Sequence, residues 1–222
     1  LKTFETHKLF YGQYLYRLEI RNSLSIFFRE KNLPLARSTL DSLHSLYDQG
    51  SPLCFNRGLR QINVSETDFF NATKLYRIFS KAKKYKLRIQ SSIMLVYSND
   101  LTWINEIAKQ ISLDKVISLS KPNDDYKELL NSNTIIIEKD IGYNYKVTFG
   151  TGSGEPAFGK WAIANPNLIK LGAIASNEII NSGFVNGMYF YARDEKTLQL
   201  CSLMTTNIRR IDKLIVKPNI DK

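Results

Sequence analysis

A stretch in the middle of the chain returns near its end. Met94-Leu-Val-Tyr97-Ser-Asn-Asp100 recurs as Met188-Tyr-Phe-Tyr191-Ala-Arg-Asp194. Each copy leads into a segment of helical periodicity, Leu101 to Ile111 and Glu195 to Met204. Each then reaches a short apolar run ending in Lys-Pro, Leu113 to Pro122 and Ile211 to Pro218. Two copies are too few for a solenoid, in which about three stacked repeats are needed to bury a continuous core. They imply two related α+β units, and 222 residues suit two domains of about 100 residues each.

The rest of the pattern fits that division. Tyr14, Tyr16, Leu18 and Ile20 alternate with Arg17, Glu19 and Arg21, the period of a half-buried strand. Asn22-Ser23 is a turn signal, so Leu24 to Phe28 is expected to pair back as a hairpin. A helix follows, capped by Asn32, with Pro34 in its first turn and Gly50 as its stop. A loop through Ser51-Pro52 and Arg57-Gly58 leads to a second helix opening at Ser65. Lys84 to Tyr97 alternates again, broken into a hairpin at Gln90-Ser91-Ser92. Strand, helix, hairpin, helix, strand is the order of a ferredoxin-like unit with one extra helix.

We therefore expect an α+β chain of two ferredoxin-like (RRM-like) units forming a pseudo-duplicate, residues 1–122 and 123–222. The linker is expected at Lys121-Pro-Asn-Asp-Asp-Tyr-Lys. The second unit reads as strands Ile135 to Ile137 and Tyr143 to Phe149, then helix from Ala157 to Ile180 kinked at Pro166. A strand from Gly187 to Ala192, the repeated helix and a last strand from Ile208 to Val216 complete it.

Charge narrows the function. Lys and Arg outnumber Asp and Glu by 31 to 21, a net charge of +10, which favours a polyanionic partner. The lysines and arginines also cluster. Lys81, Lys83, Lys84, Lys86 and Arg88 run from a helix end onto a strand with Tyr85 among them, and Arg209, Arg210 and Lys213 gather on the last strand. Each cation set on a phosphate releases a counterion, so such groups bind strongly and salt-dependently. A solvated charged face is the plainer explanation of the same residues.

Asn186-Gly-Met-Tyr-Phe-Tyr-Ala-Arg193 is similar to the RNA-recognition signature in which sheet aromatics stack on bases, although Asn186 stands where that signature has a basic residue. With a period of two, Tyr189 and Tyr191 share one face, and Arg193 lies just beyond them. Aromatics on a strand are more often core.

Catalytic signals are thin. Gly154 to Lys160 fits G-x-x-x-x-G-K after a strand, but Trp161 replaces the metal-binding hydroxyl, Pro156 removes a donor and Glu155 places a carboxylate where phosphate would sit. A strand-to-helix connection is the better reading, with a close approach to a nucleic-acid backbone as its functional version. Cys54, Cys201, His7 and His44 are isolated, giving no zinc site, triad or metalloprotease helix. Glu138-Lys139-Asp140 has the wrong order for a nuclease. No cofactor or metal is expected. Two cysteines fit a reducing compartment, no apolar run approaches the ~20 residues of a membrane span, and the first residues do not form a signal peptide.

Lys8-Leu-Phe-Tyr-Gly-Gln-Tyr-Leu-Tyr, the segment Gly187 to Lys196 and Ile208-Arg-Arg-Ile-Asp-Lys-Leu resemble uncharacterised proteins of phage and virus genomes. The resemblance implies a viral setting, either the host cytoplasm or the virion, and no activity. The expected function is non-enzymatic nucleic-acid binding. Phosphates would meet Lys81, Lys83, Lys84, Lys86, Arg88, Arg193, Arg209, Arg210 and Lys213, and bases would stack on Tyr85, Tyr189 and Tyr191. A structural subunit of a virus particle, with viral or host protein partners, is the alternative. A Mg²⁺-dependent nuclease or nucleotidyl enzyme comes third.

Overall fold

Both copies of the repeat form a strand and a capped helix, as a computed structural model of the chain describes for residues 1–218. The chain divides into two compact units. The first comprises Leu1–Thr6 and Gln13–Pro122, the second His7–Gly12 and Asn123 onward. Each is an α+β unit built on one five-stranded mixed sheet.

In the first unit the strands are β1 (Lys2–Glu5), β2 (Tyr16–Arg21), β3 (Cys54–Arg57), β4 (Arg60–Asn63), β5 (Lys86–Gln90), β6 (Ile93–Ser98) and β7 (Val116–Lys121). The helices are α1 (Leu33–Asp48), α2 (Glu66–Lys81) and α3 (Leu101–Gln110). The main sheet runs β1-β7-β2-β6-β5, with β3-β4 a separate ribbon. β2, β5, β6 and β7 pair antiparallel, whereas β1 adds to β7 in parallel. Tyr16, Leu18 and Ile20 alternate onto the buried face and meet Ala36, Leu43, Phe69, Leu75, Phe79 and Ile104 from the helices.

The second unit repeats the strand order but not every connection. Its elements are β8 (Thr134–Ile137), β9 (Tyr145–Phe149), α4 (Pro156–Ala164), β10 (Ile169–Leu171), α5 (Ala173–Ile180), β11 (Tyr189–Ala192), α6 (Glu195–Met204) and β12 (Ile208–Val216). The sheet order is β10-β11-β9-β12-β8. α5 lies between β10 and β11, where the first unit has the tight β5-β6 hairpin. Setting aside β1 and β8, each sheet places its four remaining strands, numbered along the chain, as 4-1-3-2. In both units the extra strand is parallel to the last one. Val147, Phe149, Phe158, Ile179, Phe190 and Cys201 form the second core.

The repeated aspartates have one job in both copies. Asp100 accepts the Trp103 N–H at 2.9 Å and caps α3; Asp194 accepts the Thr197 N–H at 2.8 Å and caps α6. The Thr197 amide, then its hydroxyl, then Arg193 hold the Asp194 carboxyl down at about 2.

Three local expectations are corrected. Leu24 to Phe28 is not a strand: Ser25–Lys31 forms 3₁₀ turns broken by a kink at Arg29 and Glu30, because Asn22 accepts the Leu24 N–H at 2.8 Å and donates to the Asp68 carbonyl at 2.8 Å, turning the chain away from the sheet. The loop at Arg57-Gly58 is the tip of the β3-β4 ribbon, with Gly58 at φ 62. Ala157 to Ile180 is not one kinked helix. α4 ends at Asn165, β10 follows, and α5 starts after Gly172.

Candidate nucleic-acid interface

In the second unit, β11 alternates. Phe190 and Ala192 enter the core, so Tyr189 and Tyr191 stand on the opposite face of the sheet. Tyr189 is 43% exposed and Tyr191 half-buried. Their rings meet edge to face at 5.5 Å. Burial, and then neighbouring Tyr189, push the Tyr191 phenol up.

The ladder sets cations beside these rings. Lys146 on β9 and Lys170 on β10 are both register partners of Tyr191, one on each side. The Lys146 ammonium lies 3.9 Å from the Tyr189 ring centroid. Lys170, Ile174, Met188, Tyr189 and Tyr191 line a groove of about 540 Å³ at this end of the sheet. Flat aromatic faces, an apolar wall and two ammonium groups are a chemistry suited to stacked bases joined by phosphates.

The other cations expected in this unit divide differently. Arg210 is spent: its guanidinium bonds Asp212 Oδ1 at 2.6 Å and donates to the Ser132 carbonyl at 2.8 Å. Arg193 pairs with Asp194 at 2.9 Å. Arg209 is exposed at a bulge in β12, and Lys213 pairs in register with Tyr145, on the face opposite the two tyrosines. Tyr189 and Tyr191 are thus brought together; Arg210 shares their face two strands away, across Thr148, but is held by Asp212, while Arg193, Arg209 and Lys213 do not join them. Lys146 and Lys170 went unnoticed in the sequence. The alternation of Tyr145 to Phe149 could have singled out Lys146, whereas Lys170 sat in a stretch read as helix.

The glycine run is structural. A Cβ on Gly154 would strike the Ile179 backbone, and one on Gly159 would lie 2.8 Å from the Ile179 side chain, so α4 and its entry need glycine to approach α5.

In the first unit, Lys81 ends α2, and Lys83 and Lys84 follow it, all three exposed. They line a cleft of about 1070 Å³ with Lys31, Tyr14 and Trp103. Tyr85 is corrected as a stacking residue. It is only 5% exposed, stacked on Phe79 at 5.1 Å, covered by the Lys31 ammonium at 4.0 Å, and its hydroxyl donates to the Phe79 carbonyl at 3.3 Å. Burial pushes its phenol up. Lys86 and Arg88 lie on β5, an edge of the sheet, the first half-buried and the second exposed. The residues matching Tyr189 and Tyr191 in this copy are Leu95 and Tyr97, both buried.

No protein-family model, curated protein or solved structure matches this chain. Among the described residues no three His, Cys, Asp or Glu side chains gather as a metal cluster, and no helix is long and apolar enough to cross a membrane.

Proposed function

We propose that the protein binds single-stranded nucleic acid through the aromatic face of the second unit, and that each unit is ferredoxin-like. The strand order 4-1-3-2 with helical crossovers supports the fold assignment. The observation that carries the function is the pair Tyr189 and Tyr191 on the sheet face turned away from the core, flanked in register by Lys146 and Lys170. Bases stack on the rings, the ammonium groups meet the phosphates, and affinity comes from stacking and charge rather than base-edge readout. A duplex keeps its bases stacked on each other and gains only the phosphate contacts. The viral setting implied by the resemblance of the chain's ends belongs to the same proposal.

Binding of single-stranded and duplex oligonucleotides across a salt series tests it. The single strand binds tighter, and Lys146→Ala/Lys170→Ala lowers the slope of log K against log salt by about 1.4, or about 0.7 per lost phosphate contact. A flat salt response, or equal binding by Tyr189→Ala/Tyr191→Ala, overturns the proposal.

A further inference from the structure

The cleft of the first unit collects more positive charge than anything around it balances. Lys81, Lys83 and Lys84 come from the end of α2 and the turn after it, and Lys31 from a distant segment. Its single carboxylate, Asp100, is engaged in capping α3 through the Trp103 N–H. Among the described residues no ion pair joins Lys31, Lys81, Lys83 or Lys84 to a carboxylate. The negative end of the α2 dipole explains Lys81, in the last turn, but not two further lysines past the helix or a fourth from elsewhere.

Lys31 is held there against resistance. Glu30 and Lys31 are consecutive non-glycine residues at φ 56 and φ 58, a left-handed conformation that L-residues avoid. That backbone aims the Lys31 ammonium over Tyr85, 4.0 Å from the ring centroid. Burial first, and then the charge of Lys86, lower its pKa. Three unfavourable terms thus converge on one cation, and an anion bound in the cleft would offset two of them. The cleft also offers flat surfaces: Trp103 is half-buried, 5.5 Å from the Tyr85 ring, and Tyr14, 6.3 Å from the Tyr97 ring, lines the same cleft.

We propose that this cleft binds a nucleotide by its phosphomonoester, with the phosphate among Lys31, Lys81, Lys83 and Lys84 and the base against Trp103 and Tyr14. The choice of a nucleotide rests on the nucleic-acid reading above. The choice of a monoester rests on charge: an internal phosphodiester brings one negative charge to four ammonium groups, whereas a terminal phosphate brings about two. The same chemistry comes from the 5′-phosphorylated end of a strand or from a free nucleotide.

Trp161→Phe leaves Trp103 as the chain's one tryptophan and therefore as a reporter. The probes are AMP, ATP, and one short single-stranded oligonucleotide with a 5′-phosphate or a 5′-hydroxyl. Phosphorylated probes change Trp103 emission, and the 5′-phosphate strand produces that change at a concentration about tenfold or more below the 5′-hydroxyl strand. Lys81→Gln/Lys83→Gln/Lys84→Gln, at exposed positions, raises the midpoint by about tenfold or more, and Lys31→Gln raises it too. Matching midpoints for AMP and the phosphorylated strand assign free nucleotides; a response to the strand alone assigns strand ends; either supports the proposal. Phosphorus NMR of AMP titrated with the unaltered protein reads the same site without the tryptophan replacement.

No response to any phosphorylated probe at millimolar concentration, an equal response to the 5′-hydroxyl strand, or unchanged midpoints in the lysine variants overturns it. Tyr189→Ala/Tyr191→Ala leaves the Trp103 response to AMP intact. Loss of the cleft's response with oligonucleotide binding by the second unit preserved removes this site alone. The reverse result removes the sheet-face reading alone.

Discussion

Replacing Tyr189 by Ala removes a stacking surface whose value follows from its surroundings. A base on an aromatic ring contributes about 1–3 kcal/mol by alanine substitution. The Lys146 ammonium already occupies one side of this ring, at 3.9 Å from its centroid. An exposed cation–π contact contributes about 0.5–1 kcal/mol, which an incoming base must displace on that side. With mid-range values of about 2 and about 0.75 kcal/mol, the net loss in Tyr189→Ala is about 1.25 kcal/mol, or about eightfold in Kd. Fluorescence anisotropy of a labelled single-stranded oligonucleotide at one fixed salt concentration reads it. Tyr189→Phe keeps the ring and should stay within about twofold of the parent. Lys146→Ala divides the two contributions: the ring loses its cover while the complex loses a phosphate contact, so the salt slope falls even where Kd moves little. Equal Kd values for Tyr189→Ala and the parent, with the variant folded by circular dichroism, would refute the assignment of this face.

Three further outcomes follow from the packing. Asp68 is buried at 7% exposure, paired with Lys115 at 2.9 Å and accepting the Ser23 N–H at 3.1 Å; burial raises its pKa, but Lys115 and Ser23 outweigh that and leave it lowered. Its charge therefore stabilises fully above the unfolded carboxyl value of about 3.9, and that contribution disappears as pH falls through the lower folded value. Asp68→Ala should cost about 2–4 kcal/mol in urea unfolding at neutral pH, and the gap to the parent should narrow in acid. Gly154→Ala drives a methyl group into the Ile179 backbone and should lose about 1–3 kcal/mol by the same measurement, whereas a glycine needed only for flexibility would tolerate alanine. Burial pushes the Cys201 thiol up to about 12, so a disulfide-exchange reagent should label at most Cys54 in the native protein and both thiols in denaturant.

The parts of this fold that were legible were those with a strong local signal. The repeated segments read as strand, Asp cap and helix because period-two alternation gives way to a capped 3.6-residue period, and Asp100 and Asp194 do cap α3 and α6. β10 was hidden because three residues, Ile169–Leu171, cannot display an alternation against the apolar residues around them. The β3-β4 ribbon was hidden because Asn56, Arg57, Arg60 and Gln61 are all exposed and show no buried side. Ile135 to Ile137 of β8 is legible as a strand and β1 is not, but both gain their place from parallel partners far along the chain, which no local pattern announces. For the site, periodicity put Tyr189 and Tyr191 on one face. It could not say that Lys170 would stand beside them, or that Asp212 and Asp194 would claim Arg210 and Arg193. Tyr85 looked like an outward residue among lysines, yet its ring fills space against Phe79.

The sheet orders carry a last consequence. A strand with a free margin offers unpaired amides and carbonyls to any passing chain, the usual route to intermolecular ribbons. Here the end strands opposite β1 and β8 are β5, against which the segment Ser25–Lys31 packs, and β10. β5 displays Lys86 and Arg88, whose mutual repulsion opposes a second copy docking on it. β10 offers only three residues and carries Lys170 at its centre. The cations on these two strands thus help keep a basic, aromatic-rich chain from extending its sheets into filaments.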